Sequence, residues 1–294
     1  MTNRLFPAVI LILFLTPLLT NSAFAQRLIN VAYVEVNDHA LSNAGCYSLT
    51  SPQRPFFDVA VIFAANISGN DPNDPEIYFN PQVSHLLNQD LQQVQSLQLR
   101  GIKVVLTLLG NHQRAGWSGM NDPNAAQRFA DRIADVVQRY NLDGIDIDDE
   151  YSNYAAVFPA STTMIAQALV NNPKFRGKIL SKALFSDRQV FTTPFGQFNL
   201  AQLLNYGSEM TYRNPDAAGR LEPYIGYRMK KSGLLIGVSA DNDPAAGTVV
   251  NYVKNNGYGG VMVYNVGATS GRFLSSLADI EFGDAVSIVQ NCLH

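Results

Sequence analysis

Five acidic residues lie in one short apolar stretch of the chain, and their spacing suits proton-transfer chemistry. Residues 141–151 read Asn-Leu-Asp-Gly-Ile-Asp-Ile-Asp-Asp-Glu-Tyr. In an extended strand alternate side chains share a face, so Asp146, Asp148 and Glu150 are predicted to point one way and Ile145 and Ile147 the other. Carboxylates separated by about 6–7 Å per two-residue step cannot all stay ionised at low cost. At least one is therefore expected to share a proton or to have a raised pKa, which suits general acid–base catalysis.

Two other interpretations of this acidic row are possible. A solvated acidic edge would not alternate so strictly with isoleucine, which makes catalysis the preferred interpretation. A divalent-metal site remains an alternative, because oxygen-rich clusters suit magnesium or calcium. The other two acidic residues, Asp143 and Asp149, occupy odd-numbered positions, which alternate with Asp146, Asp148 and Glu150 along the strand. They are expected to be structural or solvated.

The surrounding sequence alternates strand and helix patterns. Runs rich in Val, Ile, Leu and aromatic residues predict strands at 28–36, 57–65, 102–109, 142–148, 178–185, 206–212, 233–239 and 258–264. Helical spacing of apolar residues predicts helices at 82–100, 124–140, 161–171, 248–256 and 282–291. Eight strands in about 240 residues, most of them apolar on both sides, predict a single-domain (β/α)8 TIM barrel. Glu150 then lies at the C-terminal mouth, where barrel active sites are built.

The barrel is expected to be irregular after its fifth and sixth strands. Residues 186–205 hold only a short helical stretch at 199–204, and Pro and Gly residues between 213 and 232 oppose a long helix. An open doubly wound sheet is the alternative fold. No Gly-rich turn follows the first strand, so nucleotide binding lacks support.

The first 25 residues of the 294-residue chain resemble an export signal. Arg4 carries the only charge before Arg27, an apolar run extends from Leu5 to Leu19, and an Ala-x-Ala site ends at Ala25. This order predicts a cleaved signal peptide at 1–25 and a catalytic domain at 26–294, secreted or periplasmic. A membrane anchor is the alternative, although the run is short of the ~20 residues that a span needs.

The composition limits the partners. The formal charge is −3 and no cluster of Lys and Arg is present, which argues against nucleic acid. Two cysteines, Cys46 and Cys292, lie near the two ends of the exported chain, where an oxidising compartment permits a disulfide. The sequence is consistent with a disulfide between them and also with two unpaired buried thiols.

The acidic row also resembles a family signature. Asp143-x-x-Asp146-x-Asp148-x-Glu150 resembles the DxxDxDxE motif of glycoside hydrolase family 18. Four other stretches resemble the bacterial endo-β-N-acetylglucosaminidases of that family, of the H and F types: residues 33–37, 57–66, 109–113 and 258–265. The resemblance runs from about residue 30 to about residue 280.

The resemblance implies a retaining, substrate-assisted mechanism in which the substrate's acetamido group is the nucleophile. Glu150 would be the general acid and later the base. Asp148 would orient the acetamido N–H, and Asp146 would share a proton with Asp148. The implied reaction cuts the β-1,4 bond between the two core N-acetylglucosamines of N-glycans, with no cofactor and no metal, and a monomer is expected.

The resemblance, together with positions at strand ends, suggests the supporting residues. Tyr212 would offer its hydroxyl to the acetamido oxygen, with an ordinary barrel tyrosine as the alternative. Tyr264 and Asn265 would line the subsite of the attacking sugar. Possible contacts to sugar hydroxyls are Glu35, Asn66, Asn111 and His112. Trp117, the only tryptophan, is expected to stack on a sugar face rather than to anchor its loop.

Two rival functions remain at this point. A chitinase would need a long groove lined by several aromatic residues, and a single tryptophan is poor support for one. A catalytically dead glycan-binding protein on the same barrel would be expected to lack the terminal acid, whereas Glu150 is present.

Overall fold

The computed structural model describes residues 27–151, 157–185 and 188–294. The predicted signal peptide at 1–25 lies outside the described residues. Within them, no helix is both long and apolar enough to cross a membrane.

Eight parallel strands close into a barrel, which confirms the predicted fold. They are β1 (Ile29–Glu35), β4 (Val59–Ser68), β6 (Lys103–Gly110), β7 (Gly144–Asp148), β8 (Ile179–Leu184), β9 (Tyr206–Glu209), β10 (Leu234–Ser239) and β11 (Gly260–Tyr264). Each pairs with the next along the chain, and β11 pairs back onto β1, so the open doubly wound alternative is excluded. The short strand β5 (Glu76–Tyr78) runs antiparallel beside β4.

The alternation of side chains along the strands explains the closure. Ile145 and Ile147 of β7 point outward into the apolar layer beneath the helices. Val31, Val105 and Met262 belong to a smaller apolar cluster inside the barrel. Because both faces of each strand are buried, the strands carry the nearly continuous apolar sequence that predicted them.

The helices mostly follow the predicted order. They are α1 (Pro81–Asn88), α2 (Gln92–Leu99), α3 (Pro123–Arg139), α4 (Ser161–Asn171), α5 (Gln189–Thr192), α6 (Leu200–Leu203), α7 (Ala217–Gly226), α8 (Ala246–Asn256) and α9 (Gly271–Phe282). The single helix predicted at 82–100 is broken in two, because the backbone N–H groups of Gln89 and Asp90 both donate to the carbonyl of His85 and end α1. The thin connection after β8 is confirmed, since α5 and α6 have four residues each.

Two expectations about the C-terminal half were wrong. The helix predicted at 282–291 does not form: α9 ends at Phe282, where Gly283 takes a left-handed φ of 65°, and the strand β12 (Val286–Ile288) follows. A ten-residue helix, α7, forms with Pro223 inside it, and the Asp216 side chain caps its start by accepting from the N–H of Gly219 at 2.9 Å.

A small antiparallel sheet joins the two ends of the described chain. It consists of β12, β2 (Tyr47–Thr50) and β3 (Gln53–Pro55). Beside it Cys46 and Cys292 form a disulfide with an S–S distance of 2.05 Å. Of the two possibilities that the sequence left open for these cysteines, the bridge is the one present.

Candidate active site

The acidic row of β7 points into the barrel. Asp146 and Asp148 are buried, at 0% and 1% exposure, on the face opposite Ile145 and Ile147. Glu150 follows the end of the strand and is partly exposed. The two acids of the other parity have structural contacts: Asp143 accepts from the N–H of Val104 at 2.9 Å, and Asp149 accepts from the hydroxyl of Ser118.

Three hydroxyl groups surround the carboxyl of Asp146. Tyr33 and Thr107 donate to Oδ2 at 2.8 and 3.0 Å, and Ser181 donates to Oδ1 at 2.7 Å. Burial raises the pKa of Asp146, and these three hydrogen bonds oppose that rise by stabilising the carboxylate. The arrangement fixes the orientation of Asp146 directly beneath Asp148.

Asp148 is the more strongly perturbed acid. Burial raises its pKa well above the usual range, and the neighbouring carboxylates of Glu150 and Asp146 raise it further, while the buried Lys182 ammonium lowers it. Within the part of the chain that the structure describes, its buried Oδ1 has no hydrogen-bond partner. A buried carboxyl oxygen with no protein partner is able to accept a hydrogen bond from a bound ligand.

A cavity of about 450 Å³ opens above these acids at the C-terminal mouth of the barrel. Its lining includes Asp148, Glu150, Glu35, Asn66, Tyr212, Tyr264, Tyr33, Phe63, Met210 and Tyr151. Six of these were named from the sequence: the acids Asp148, Glu150 and Glu35, with Asn66, Tyr212 and Tyr264. A volume of this size suits a ligand of a few rings, with carboxyls at its base and aromatic rings around it.

The carboxylate of Glu35 is held in place by residues from the end of β11. The hydroxyl of Tyr264 donates to Glu35 Oε2 at 2.9 Å, and the side-chain amide of Asn265 donates to the same oxygen at 3.5 Å. In return, the backbone N–H of Glu35 donates to Asn265 Oδ1 at 2.9 Å. Asn265 therefore acts on the cavity through Glu35 and does not itself line it.

Tyr212 enters the cavity from the segment that follows β9. Its ring lies 5.7 Å from that of Tyr264, centroid to centroid. Burial raises the pKa of Tyr212 well above 10, and the carboxylate of Asp148 adds to the rise. The hydroxyl of Tyr212 therefore stays protonated. It contacts the sulfur of Met262 at 3.9 Å, a weak acceptor that a stronger ligand acceptor in the cavity would replace.

The expectation that Asn265 lines the subsite was therefore wrong, and three further residues expected at the sugar site also lie outside the cavity lining. Trp117 is wholly buried: its indole N–H donates to the carbonyl of Leu108 at 2.7 Å and its ring packs edge-on against Phe129, so the stacking expectation was wrong. Neither Asn111 nor His112 lines the cavity. The exposed His112 packs its ring against that of Tyr151, with 4.7 Å between the centroids. It therefore lies behind the lining residue Tyr151 and does not reach the cavity.

Several lining residues were missed from the sequence. Tyr33 was recoverable, because it lies two residues before Glu35 on the same face of β1. No sequence pattern indicated the lining residue Asn80. It is the N-cap of α1, where its side chain accepts from the N–H of Val83 at 2.8 Å. Its amide also donates to the side chain of Asn37 at 3.1 Å. Across the described ranges, no group of three His, Cys, Asp or Glu side chains is arranged to hold a metal ion.

The fold and the cavity together define a class of enzyme. A buried acid of raised pKa beside a second, accessible carboxyl, at the C-terminal mouth of a (β/α)8 barrel, is the arrangement of a hydrolase that works by proton transfer. The sequence profile of the glycosyl hydrolases family 18 matches residues 23–216. The chain belongs to this family and is a glycoside hydrolase.

Two individual relatives within the family are similar to this chain over most of its length. The chain is 34% identical over 266 residues to an endo-beta-N-acetylglucosaminidase of Flavobacterium sp. (strain SK1022), covering 88% of this chain and 82% of the relative. It is 29% identical over 254 residues to endo-beta-N-acetylglucosaminidase F1 of Elizabethkingia meningoseptica, covering 83% and 73%.

Solved structures agree on the fold. EndoBT-3987 of Bacteroides thetaiotamicron, solved with a Man5GlcNAc product, matches with a TM-score of 0.72 at 21% identity. That match covers 89% of this chain but 62% of the other, and 67% of the same protein solved with a Man9GlcNAc2Asn substrate. A family 18 chitinase from Pseudoalteromonas aurantia matches with a TM-score of 0.60 at 18% identity, covering 86% of this chain and 99% of the chitinase.

Proposed function

We propose that this chain is an endo-β-N-acetylglucosaminidase that hydrolyses the β-1,4 bond between the two core N-acetylglucosamines of N-glycans. The observation that carries the proposal is the cavity in which Asp148, Glu150, Tyr212 and Tyr264 meet. The two curated relatives, which have this activity in their names, support the choice of substrate.

In the proposed reaction Glu150 protonates the glycosidic oxygen as the bond to the anomeric carbon breaks. The acetamido oxygen of the same N-acetylglucosamine attacks that carbon and forms an oxazolinium ion. Water then attacks the anomeric carbon while Glu150 takes its proton, which regenerates the acid and retains the configuration. The partly exposed position of Glu150, beyond the buried end of β7, supports its contact with both leaving group and water.

Asp148 is the residue that we assign to the acetamido group. Its unpartnered Oδ1 is available to accept from the acetamido N–H, which orients the acetamido oxygen for attack. A raised pKa means that Asp148 readily holds a proton in the free enzyme. As positive charge develops on the oxazolinium ring, a carboxylate at Asp148 is favoured, and Asp146 beneath it can take up the displaced proton.

The remaining lining residues are proposed to bind and orient the sugar. Tyr212 donates a hydrogen bond from its hydroxyl to the acetamido oxygen, while the acetamido N–H donates to Asp148. Glu35, held by Tyr264 and Asn265, accepts from a sugar hydroxyl. Asn66, whose amide donates to the carbonyl of Gly110 at 3.2 Å, presents its oxygen at the rim.

The cellular setting is part of the same proposal. Residues 1–25 would be removed during export, residues 26–294 would form the catalytic domain, and the enzyme would act as a secreted or periplasmic monomer. The Cys46–Cys292 disulfide is compatible with an oxidising compartment.

A high-mannose glycoprotein tests the proposal. Incubation with residues 26–294 should release glycan that ends in one N-acetylglucosamine and leave the other on asparagine, which mass spectrometry distinguishes. The Glu150→Gln variant is the matched control, since it removes the acid and keeps the shape. Release of the whole glycan, or degradation of chitin oligomers alone, would contradict the proposal, and binding without turnover by the wild type would indicate a lectin.

A further inference from the structure

A buried carboxylate outside the cavity accepts hydrogen bonds from three backbone N–H groups, two in its own loop and one in a distant segment. Asp243, at 6% exposure, lies in the loop between β10 and α8. Its Oδ2 accepts from the N–H of Arg213 at 2.8 Å and of Ser239 at 3.1 Å, and its Oδ1 accepts from the N–H of Ala245 at 2.9 Å. The bonds to Ser239 and Ala245 close a local turn, whereas the bond to Arg213 crosses to the segment that carries Tyr212.

That segment has a backbone that needs external support. Tyr212 and Arg213 have φ angles of 21° and 61°, and side chains other than glycine rarely adopt the left-handed region. Two such residues in succession persist when surrounding contacts over-determine them. The backbone N–H of Arg213 donates to Asp243, and its guanidinium donates to the carbonyl of Asp241 at 2.8 Å. The 241–243 loop therefore holds the left-handed pair at two points.

The ring of Tyr212 also packs against a glycine of β10. The backbone N–H of Tyr212 donates to the carbonyl of Gly237 at 3.2 Å. A Cβ atom at Gly237 would lie 3.3 Å from Cε1 of Tyr212 and 2.6 Å from the carbonyl oxygen of Glu209. The glycine therefore leaves the space that the ring occupies.

We infer that Asp243 is a positioning residue for Tyr212: by binding the N–H of Arg213 it fixes the left-handed pair and holds the Tyr212 hydroxyl at the acetamido end of the cavity. This inference rests on the proposed function for the role of the hydroxyl. The geometric part, that Asp243 sets the position of the Tyr212 ring, stands separately and is tested separately.

A double-mutant cycle tests the link in catalysis. Asp243→Asn keeps the size of the side chain but replaces one acceptor with an amide that cannot bind a backbone N–H. With a high-mannose glycopeptide as substrate, it should lower kcat about tenfold or more while KM changes less than about twofold. In a Tyr212→Phe background, which already lacks the hydroxyl, the same change should lower kcat less than about twofold. If the two mutations multiplied their effects on kcat independently, or if kcat were unchanged in both Asp243→Asn and Asp243→Ser, the inference would be wrong.

A second variant separates the local turn from the cross-link. Serine at 243 can still accept from the N–H two residues on, as in an ST-turn, but is too short to bridge to Arg213 as well. Asp243→Ser should therefore stay folded by circular dichroism and lower kcat at least as much as Asp243→Asn. The matched control is Asp284→Asn, another carboxylate that accepts from backbone N–H groups, those of Ser51 and Ala285, away from the cavity. The control should leave kcat unchanged, and an equal loss in it would contradict a specific role for Asp243.

A readout that needs no activity completes the test. With tyrosine labelled with ¹³C at Cζ, the Tyr212 signal is the one missing from the Tyr212→Phe spectrum. It should shift in Asp243→Asn and in Asp243→Ser, and stay in place in Asp284→Asn. If the wild type releases no glycan while this signal shifts, the proposed function fails and the positioning inference holds. If the wild type is active and the signal does not move, the positioning inference is wrong.

Discussion

Two buried carboxyl groups at opposite ends of the barrel have pKa values that are raised mainly by burial. Asp148 lies at the C-terminal mouth, and the carboxylates of Glu150 and Asp146 add to the effect of its burial. Glu281, near the end of α9, is buried at the other end, and burial raises its pKa to about 8 with a smaller contribution from Asp58. A perturbed pKa alone does not distinguish the two residues.

The surroundings distinguish them. Asp148 lines a cavity of about 450 Å³ with a second acid and a tyrosine hydroxyl within the same walls. Glu281 packs beside the Asn30 amide, with the charges of Asp58, Lys254 and Arg27 around it. Space for a ligand beside a group that can exchange protons with it makes a catalytic site, whereas burial without such space affects stability alone.

The largest effect should come from the accessible acid of the mouth. Glu150→Gln removes the proton donor while keeping the shape, so kcat for release of glycan from a glycopeptide should fall by about 10²–10⁴-fold. The melting temperature should stay near that of the wild type, because Glu150 is partly exposed. A variant with more than a tenth of the wild-type kcat would show that another group donates the proton.

Asp148→Asn should have the next largest effect. An asparagine keeps the hydrogen bond from the acetamido N–H but cannot supply the negative charge that stabilises the oxazolinium ring. The expected loss in kcat is about 10²–10³-fold, as for removal of one electrostatic contact to a transition state. An oxazoline substrate bypasses the first step, and its hydrolysis should be less impaired than that of the glycopeptide. Equal impairment of the two substrates would argue against this role.

Asp146→Asn should combine a moderate loss of activity with a loss of stability. The three hydroxyls of Tyr33, Thr107 and Ser181 all donate to its carboxyl oxygens, and an amide would oppose at least one of them. One buried donor left unpaired lowers the free energy of unfolding by about 1–3 kcal/mol. Urea denaturation and kcat should both change, with kcat falling less than in Asp148→Asn. Unchanged stability would mean that the hydroxyls reorient freely.

The residues that the sequence predicted well are those governed by short-range alternation. The two-residue period in 144–150 was enough to place Asp146 and Asp148 inside the barrel and Ile145 and Ile147 outside, because strand geometry dictates it. The eight strands followed from a different local signal, short runs rich in Val, Ile, Leu and aromatic residues that are apolar on both sides.

The failures needed knowledge of distant neighbours. Trp117, flanked by glycines in a loop, suggested an exposed ring, but Phe129 of α3 and the carbonyl of Leu108 bury it. The cavity residue Asn80 depends on where α1 begins, and Asp243 on contacts between two loops 30 residues apart. No local period reports contacts of that kind.

The smallest effect on catalysis should be at Glu281, whose titration should appear in stability instead. Its pKa rises from 4.5 to about 8 on folding, so between these values the folded state holds a proton that the unfolded state has lost. The stability that protonated Glu281 supports is therefore complete below about pH 4.5 and is lost as the pH rises through about 8, at no more than about 1.4 kcal/mol per pH unit. Asp58 favours the proton, while Lys254 and Arg27 oppose it.

Glu281→Gln removes this titration and so isolates it from that of Asp148, which has the same sign. Between pH 5 and pH 8 the free energy of unfolding should fall more steeply in the wild type than in the variant, as measured by urea denaturation at each pH. The kcat of the variant should match that of the wild type throughout, because Glu281 lies outside the cavity lining. Parallel stability curves would show that Glu281 is ionised in the folded protein, and the two buried acids would then no longer be comparable.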